Sequence, residues 1–287
     1  MSKLSRTLIV FVIFLLNNNF DVQADTSIDD NVSLPDSAIR TRNAKSDVLG
    51  LVRADQGISL NKENYFLPLT YSEEYNEENT EIIFQFSFKV QLANIPLYLG
   101  YKQISFWQAY NTEASSPFRE SNYNPEIFYR LSPEKISLAG WGTDIGLEHE
   151  SNGRSVPLSR SWNRFYVAAY KPMDKSLIHV KLWYRFPEEE KTSPLDTSGD
   201  DNPDITDYYG YGEIRYKRIL FRKQILSMMV RGNIKEGNGA FSLDYSIPAY
   251  SRDLYYQLRL WVGYGESLID YNESIARIGI GVMLARW

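Results

Sequence analysis

The strongest constraint on this chain is an alternation of period two. From Ile82 the sequence sets Phe84, Phe86, Phe88, Val90 and Leu92 on one face and Gln85, Ser87, Lys89 and Gln91 on the other. Such a stretch is a strand with one apolar and one polar face. A mate, Leu97 to Gln108, follows across the short Asn94-Ile95-Pro96 turn. Further strands are predicted over 64–71, 123–131, 141–150, 162–170, 177–186, 208–218, 224–233, 239–247, 254–264 and 276–287. Most are near ten residues, roughly the length a tilted strand needs to cross a bilayer. A barrel that buries side chains inside would turn apolar residues inward, yet here the second face carries Lys, Gln, Arg and Glu. The apolar face is therefore read as the outer, lipid-facing one, with a soluble β-sandwich as the alternative.

The connections support the barrel. Short ones (92–97, 171–176, 234–238) are assigned to one end of the strands and long polar ones (109–122, 151–161, 187–207) to the other. Short turns at one end and long loops at the other mark outer-membrane barrels. Tyr and Trp near strand ends suit interfacial girdles, and the chain ends on Trp287.

Ahead of the strands, Lys3 and Arg6 precede an apolar run from Leu8 to Leu16, followed by a polar stretch ending Val22-Gln23-Ala24. This reads as a secretory signal peptide, 1–24, cut after Ala24. Nine apolar residues in a helix span only about 14 Å, about half a bilayer core. Residues 25–62 lack sustained periodicity and are read as an N-terminal extended arm, packed on or inside the barrel domain that spans 63–287. No later run approaches the length of a transmembrane helix, so any span must be made of strands.

Composition narrows the chemistry. With no cysteine and only His149 and His179, thiolate metal sites, disulfides, a cysteine nucleophile and a multi-histidine centre are excluded. A net charge of −5 without a long basic run argues against nucleic acid as a partner.

The densest polar cluster is Leu-Glu-His-Glu-Ser-Asn-Gly-Arg-Ser-Val-Pro-Leu-Ser-Arg-Ser-Trp-Asn-Arg, residues 147–164. His149 and Ser151 are two apart in a strand, so both share the apolar face of Ile145 and Leu147, while Glu148 and Glu150 point to the lumen. A histidine and a serine facing lipid are costly without a purpose or a partner. Serine becomes a nucleophile when a base takes its proton, and His149 can be that base. Asn163 shares the return strand's face with Phe165 and Val167, and a hairpin would set it beside His149 as a neutral orienting group. In the connecting loop the Gly153 N–H could face an oxyanion. Exposed carbonyls and the Ser159 hydroxyl are hard oxygens that suit Ca²⁺. The ordinary alternative is that His-x-Ser is a chance spacing. His179 falls in the lumenal register and is read as a structural polar residue.

At these residues the sequence resembles outer membrane phospholipase A, the calcium-dependent lipase family of Gram-negative outer membranes. The resemblance is carried by HESNGRSVPLSRSWNR (149–164), SSPFRESNYNPEIF (115–128), DDNPDIT (200–206) and YGESLIDYN (264–272). It implies an all-β fold, a twelve-stranded antiparallel transmembrane β-barrel with its active site on the outer wall. It also implies Ser151 as nucleophile, His149 as base and Asn163 as orienting amide, with the Gly153 N–H and a calcium-bound water stabilising the oxyanion. The catalytic Ca²⁺ would be held by the Arg154 carbonyl, the Ser159 hydroxyl and a carbonyl at Ser115 of a dimer partner. Gln103, flanked by Leu99, Tyr101 and Ser105, matches an interface glutamine of a reversible homodimer. The implied activity is hydrolysis of sn-1 and sn-2 acyl esters of membrane phospholipids, as a phospholipase A1/A2. Two departures stand out. Glu150 follows the histidine where the family often has Asp, and Val156 replaces one acid of a secondary calcium site, whose other acid matches Asp201. The competing readings are a non-enzymatic barrel, such as a porin or adhesin, and a barrel protease.

Overall fold

The computed structural model describes residues 58–284, apart from 94, 134–138 and 251–253. The signal peptide at 1–24, the arm up to residue 57 and Trp287 lie outside the described residues. A short strand, β1 (Ile58–Ser59), precedes twelve long ones: β2 (Asn64–Ser72), β3 (Ile82–Gln91), β4 (Leu97–Trp107), β5 (Phe118–Leu131), β6 (Gly142–Ser151), β7 (Ser161–Met173), β8 (Ser176–Arg185), β9 (Gly212–Ile219), β10 (Ile225–Asn233), β11 (Asn238–Pro248), β12 (Leu254–Tyr264) and β13 (Ser274–Leu284). Each of β3 to β13 pairs antiparallel with the next. Then β13 returns to β2, and β2 to β3, closing the sheet into a twelve-stranded barrel. Closure removes the free edges that lipid cannot hydrogen-bond.

The alternation has the sense inferred from the sequence. Ile145, Leu147, Phe165, Val167, Leu182 and Tyr184 are exposed on the outer wall, whereas Asp144, Glu148, Glu150, Arg164 and Lys181 are buried in the lumen. Charges so placed persist because they are paired. The Arg164 guanidinium bridges Glu148 at 2.5 Å and Glu150 at 2.9 Å. Lys181 holds the second oxygen of Glu148, and Lys102 reaches Glu150 at 3.2 Å. This network lies directly behind the strand that carries His149 and Ser151.

A second buried pair gives a stability prediction. Arg130 donates from Nε and Nη2 to the two oxygens of Asp144, at 2.8 and 2.6 Å. Arg130→Met strands a buried carboxylate and is expected to destabilise the folded barrel by about 3–5 kcal/mol. Adding Asp144→Leu should recover much of that loss, because it removes the orphaned charge. Urea midpoints of the two variants measure both effects, and equal midpoints would show that the pair is not coupled.

The resolved end of the N-terminal segment reaches the lumen. The Asn61 amide and the Lys62 ammonium both approach Glu126, and Glu63 pairs with Lys217 and accepts from the Ser227 hydroxyl. β1 extends β3 beyond the point where β2 leaves it, pairing Ile58 with Val90.

Three expectations change. β5 begins at Phe118 rather than residue 123, because Arg119, Glu120 and Asn122 find partners inside and so need not lie in a loop. The strand expected from residue 208 begins at Gly212; residues Ile205–Tyr209 instead form a short helix, α1. Ile205 and Tyr209, four apart, bury one helical face in an aromatic cluster with Trp162 and Trp183, and Gly210 ends the helix at φ +67°. Finally, the 234–237 turn lies at the same end as the long loops. Connections 174–175 and 220–224 both occupy the short-turn end, so strand reversal forces the next turn to the opposite end.

Candidate active site

The β6–β7 hairpin builds the site. Its register sets Leu147 opposite Phe165, His149 opposite Asn163 and Ser151 opposite Ser161. Directly opposed side chains in such a pair stand about 4.5–5.5 Å apart at Cβ. The imidazole Nδ1 of His149 and Oδ1 of Asn163 are 2.9 Å apart. An amide oxygen only accepts, so the imidazole proton is held on Nδ1 and Nε2 keeps its lone pair.

Ser151 lies on the same outer face, opposed on its other side by Tyr123 of β5. The structure joins His149 to Asn163 but not His149 to Ser151: among the described residues, no hydrogen bond links that hydroxyl and imidazole. Contacts of this kind commonly tighten only once substrate is bound.

The β5 side of the histidine is unusual. The paired register of β5 and β6 skips from Tyr123↔Ser151 to Glu126↔Glu148, and Pro125 in the gap has no N–H to donate. Asn124 compensates: its side-chain amide donates to the His149 carbonyl at 2.7 Å. In front of the histidine, Leu99, Tyr101, Pro125, Ile127, Leu147 and Phe186 border an open apolar groove that reaches His149 and Asn163.

Asn152, buried beside Ser151, organises the following loop. Its amide donates to the Leu158 carbonyl at 2.9 Å, and its Oδ1 accepts from the Arg160 N–H at 2.9 Å and the Arg154 N–H at 3.3 Å. Gly153 sits at φ +64°, and a Cβ there would come within 3.3 Å of the Tyr123 ring, so glycine suits the position. Its backbone is exposed next to the serine. The Arg154 guanidinium is turned back to the Arg119 carbonyl at 2.5 Å.

The far end of the loop meets the segment after β8. The Ser159 hydroxyl donates to Asp201 Oδ2 at 2.6 Å, Ser161 contributes a longer bond at 3.4 Å, and the Lys191 ammonium caps Oδ1. Burial opposes ionisation of Asp201, but the hydrogen bonds from Lys191 and Ser159 outweigh it and hold the carboxyl below its ordinary range. The Val156 side chain carries no oxygen. Ser115 is exposed on the separate loop between β4 and β5, at φ +62°. His179 faces the lumen, away from the site.

Four residues that shape the site escaped the sequence reading: Asn124, Asn152, Glu188 and Lys191. Asn152 had a signal, since Asn-Gly marks a turn whose side chain bonds its own backbone. Glu188 lies in a run of three glutamates that reads as a solvated stretch, yet it accepts from Asn163 Nδ2 at 3.2 Å. Asn124 and Lys191 act through tertiary contacts that no local pattern announces.

Known proteins place this geometry in a family. The sequence profile of Phospholipase A1 matches residues 52–284. The chain is 38% identical to Phospholipase A1 of Escherichia coli (strain K12) over 238 residues, covering 80% of this chain and 77% of that protein. Against Phospholipase A1 of Salmonella typhimurium, identity is 38% over 224 residues, covering 75% and 73%. Among solved structures, outer membrane phospholipase A from Escherichia coli superposes with a TM-score of 0.69 at 34% identity, covering 79% of this chain and 98% of that one. The Salmonella typhi outer membrane phospholipase, crystallised as a dimer with bound calcium, gives a TM-score of 0.70 at 31% identity, covering 84% and 98%. With a profile match that runs from ahead of the barrel into its last strand, the chain belongs to the phospholipase A1 family.

Proposed function

We propose that this protein is a calcium-dependent phospholipase of the Gram-negative outer membrane. In this reading it hydrolyses sn-1 and sn-2 acyl esters of glycerophospholipids and is activated by homodimerisation. The observation that carries the reading is the His149–Asn163 pair, standing with Ser151 on a lipid-exposed wall. Bilayer phospholipid reaches that wall without leaving the membrane, and the apolar groove beside His149 suits an acyl chain.

The chemistry follows from the side chains. Nε2 of His149 takes the Ser151 proton as the oxygen attacks the ester carbonyl, and Asn163 stabilises the resulting imidazolium through Nδ1. The Gly153 N–H donates to the developing oxyanion. His149 returns its proton to the leaving alcohol, which leaves an acyl-serine. Water activated by the same base then releases the fatty acid.

The oxygens available suit Ca²⁺: the Arg154 carbonyl, the Ser159 hydroxyl and a carbonyl at Ser115 of a second copy. Bound there, calcium supplies positive charge beside the reacting carbonyl. Ser159 donates its hydroxyl hydrogen bond to Asp201, which leaves its oxygen lone pairs for a cation. Asp201 also stands where a secondary calcium site would have its acid. Lys191 already neutralises it and Val156 adds no ligand, so that second site is weakened.

Dimerisation is consistent with the outer wall. Gln103 faces lipid with its oxygen bonded to the Tyr101 hydroxyl at 2.8 Å and its amide donating to Ser105 at 3.0 Å. A second barrel over this strip would complete the calcium ligands and close the open side of the groove. The Salmonella typhi relative, a dimer with bound calcium, supports a dimer and a calcium site in this reading. As for the competing readings, a porin needs an open lumen, whereas this one is crossed by paired charges. A protease built on acids would need Glu148 and Glu150 outside, and they point inward.

The test is fatty-acid release from phospholipids with different chains at sn-1 and sn-2, using protein in detergent micelles with Ca²⁺. Both chains are expected in the product, and the rate per molecule should fall as added micelles separate the protomers. Release of neither chain would remove the phospholipase reading, and release of one alone would remove the dual specificity. A rate indifferent to dilution would remove activation by dimerisation.

A further inference from the structure

We propose that Glu188 is a positioning residue for the histidine base, acting by fixing which end of the Asn163 amide faces His149. The proposal rests on the reading of Ser151, His149 and Asn163 as the hydrolytic triad. The two ends of an asparagine amide are nearly the same size, and rotation by a half turn exchanges an acceptor for a donor. With Oδ1 toward the ring, Nδ1 carries the proton and Nε2 is free to accept one from Ser151. With the amide turned over, its N–H groups would meet Nδ1, the ring proton would move to Nε2, and the base would be lost. Nothing in the His149–Asn163 contact alone selects between these states. The selection has to come from the other end of the amide.

That end is held by Glu188. Asn163 Nδ2 donates to Glu188 Oε1 at 3.2 Å. An ionised carboxylate accepts and cannot donate, so a turned amide would place oxygen against oxygen. The loop that carries Glu188 is itself anchored to the site. The Phe186 N–H donates to the Asn163 carbonyl at 2.9 Å, and the Glu189 carbonyl accepts from the Asp200 N–H at 2.7 Å. Glu189 and Glu190 are exposed, as a solvated charge run would be, whereas Glu188 is half-buried against Asn163. The neutral amide next to the ring thus has a carboxylate acceptor behind it.

The test compares Glu188→Gln, Glu188→Ala and Glu188→Lys with the parent chain. Glutamine keeps an acceptor but can also turn its own amide to donate, so it selects less strictly than the carboxylate and its kcat is expected between those of the parent and the alanine variant. Alanine leaves the amide unselected, so about half the molecules carry the turned amide and kcat should fall about 2-fold. Lysine donates and would favour the turned amide, lowering kcat roughly 100-fold with KM unchanged, a loss in the range of general-base defects. Because the chain has only two histidines, ¹⁵N-histidine labelling resolves the tautomer directly. An Nδ1–H signal from His149 is expected in the parent, mixed with Nε2–H in Glu188→Ala and shifted toward Nε2–H in Glu188→Lys. A purely structural role for Glu188 would not move the tautomer.

Parent-like kcat and tautomer in Glu188→Lys would overturn the proposal. If that variant does not give an SDS-resistant folded barrel, the same two readings on Glu188→Ala decide it. Ser151→Ala in the same assay separates the two levels. An active Ser151→Ala defeats the triad itself, whereas an inactive one beside parent-like Glu188 variants rejects only the role of Glu188.

Discussion

Ser151→Ala, purified as a folded barrel in detergent micelles with calcium, is expected to release fatty acid at least about 10⁴-fold more slowly than the parent chain. Alanine removes the hydroxyl that His149 is proposed to activate, so no acyl-serine can form at residue 151. The Gly153 N–H and the groove remain, which leaves only residual binding and electrostatic help to water. The fold should be untouched, since Ser151 lies on the outer wall and takes no part in the lumenal network of Glu148, Arg164 and Glu150. Resistance of the folded barrel to SDS checks this point, and undiminished lipase activity would remove the assignment of Ser151. Asn163→Ala serves as the graded comparison. Its base is still present but its tautomer is no longer held, so a partial loss of about 10–100-fold is expected.

Removal of calcium is the second large effect. EDTA is expected to bring fatty-acid release to background, with recovery on adding Ca²⁺ and little or none with Mg²⁺. The proposed ligands, two carbonyls and the Ser159 hydroxyl, would make a loose oxygen site that favours the larger cation. Mg²⁺ demands tight octahedral geometry at about 2.0–2.1 Å and dehydrates reluctantly. Ser159→Ala should raise the calcium concentration needed for half-maximal rate about 10-fold while leaving the barrel folded. It removes the proposed ligand hydroxyl, which donates to Asp201 at 2.6 Å. Activity that ignores chelation would contradict the roles given to Arg154 and Ser159.

Much of the barrel was legible because lipid and lumen impose opposite demands on alternate residues. The run Phe84, Phe86, Phe88 against Gln85, Ser87, Lys89 admits one strand and one orientation once the polar face carries charges. Reading failed where another force replaced alternation. Around 205–209 an aromatic cluster rewards a helical face instead, and before residue 123 polar side chains that look like loop are strand residues with partners inside. The 234–237 turn was set at the wrong end because a connection's length does not encode its side; strand parity does.

The candidate site divides in the same way. Period two in a strand sets His149 and Ser151 on one face, and that inference needs only the neighbouring Ile145 and Leu147. The sequence by itself therefore determined a membrane barrel with a serine, a histidine and an asparagine on one hairpin, since face and spacing are local properties of the backbone. Only the tertiary structure decided how these groups are held. Asn124 replaces the hydrogen bond that Pro125 cannot make, Lys191 and Asp201 secure Ser159, and Glu188 reaches Asn163 from a loop 25 residues away in sequence. These partners come from separate elements and meet only when the sheet closes, and no local period records a contact made across that distance.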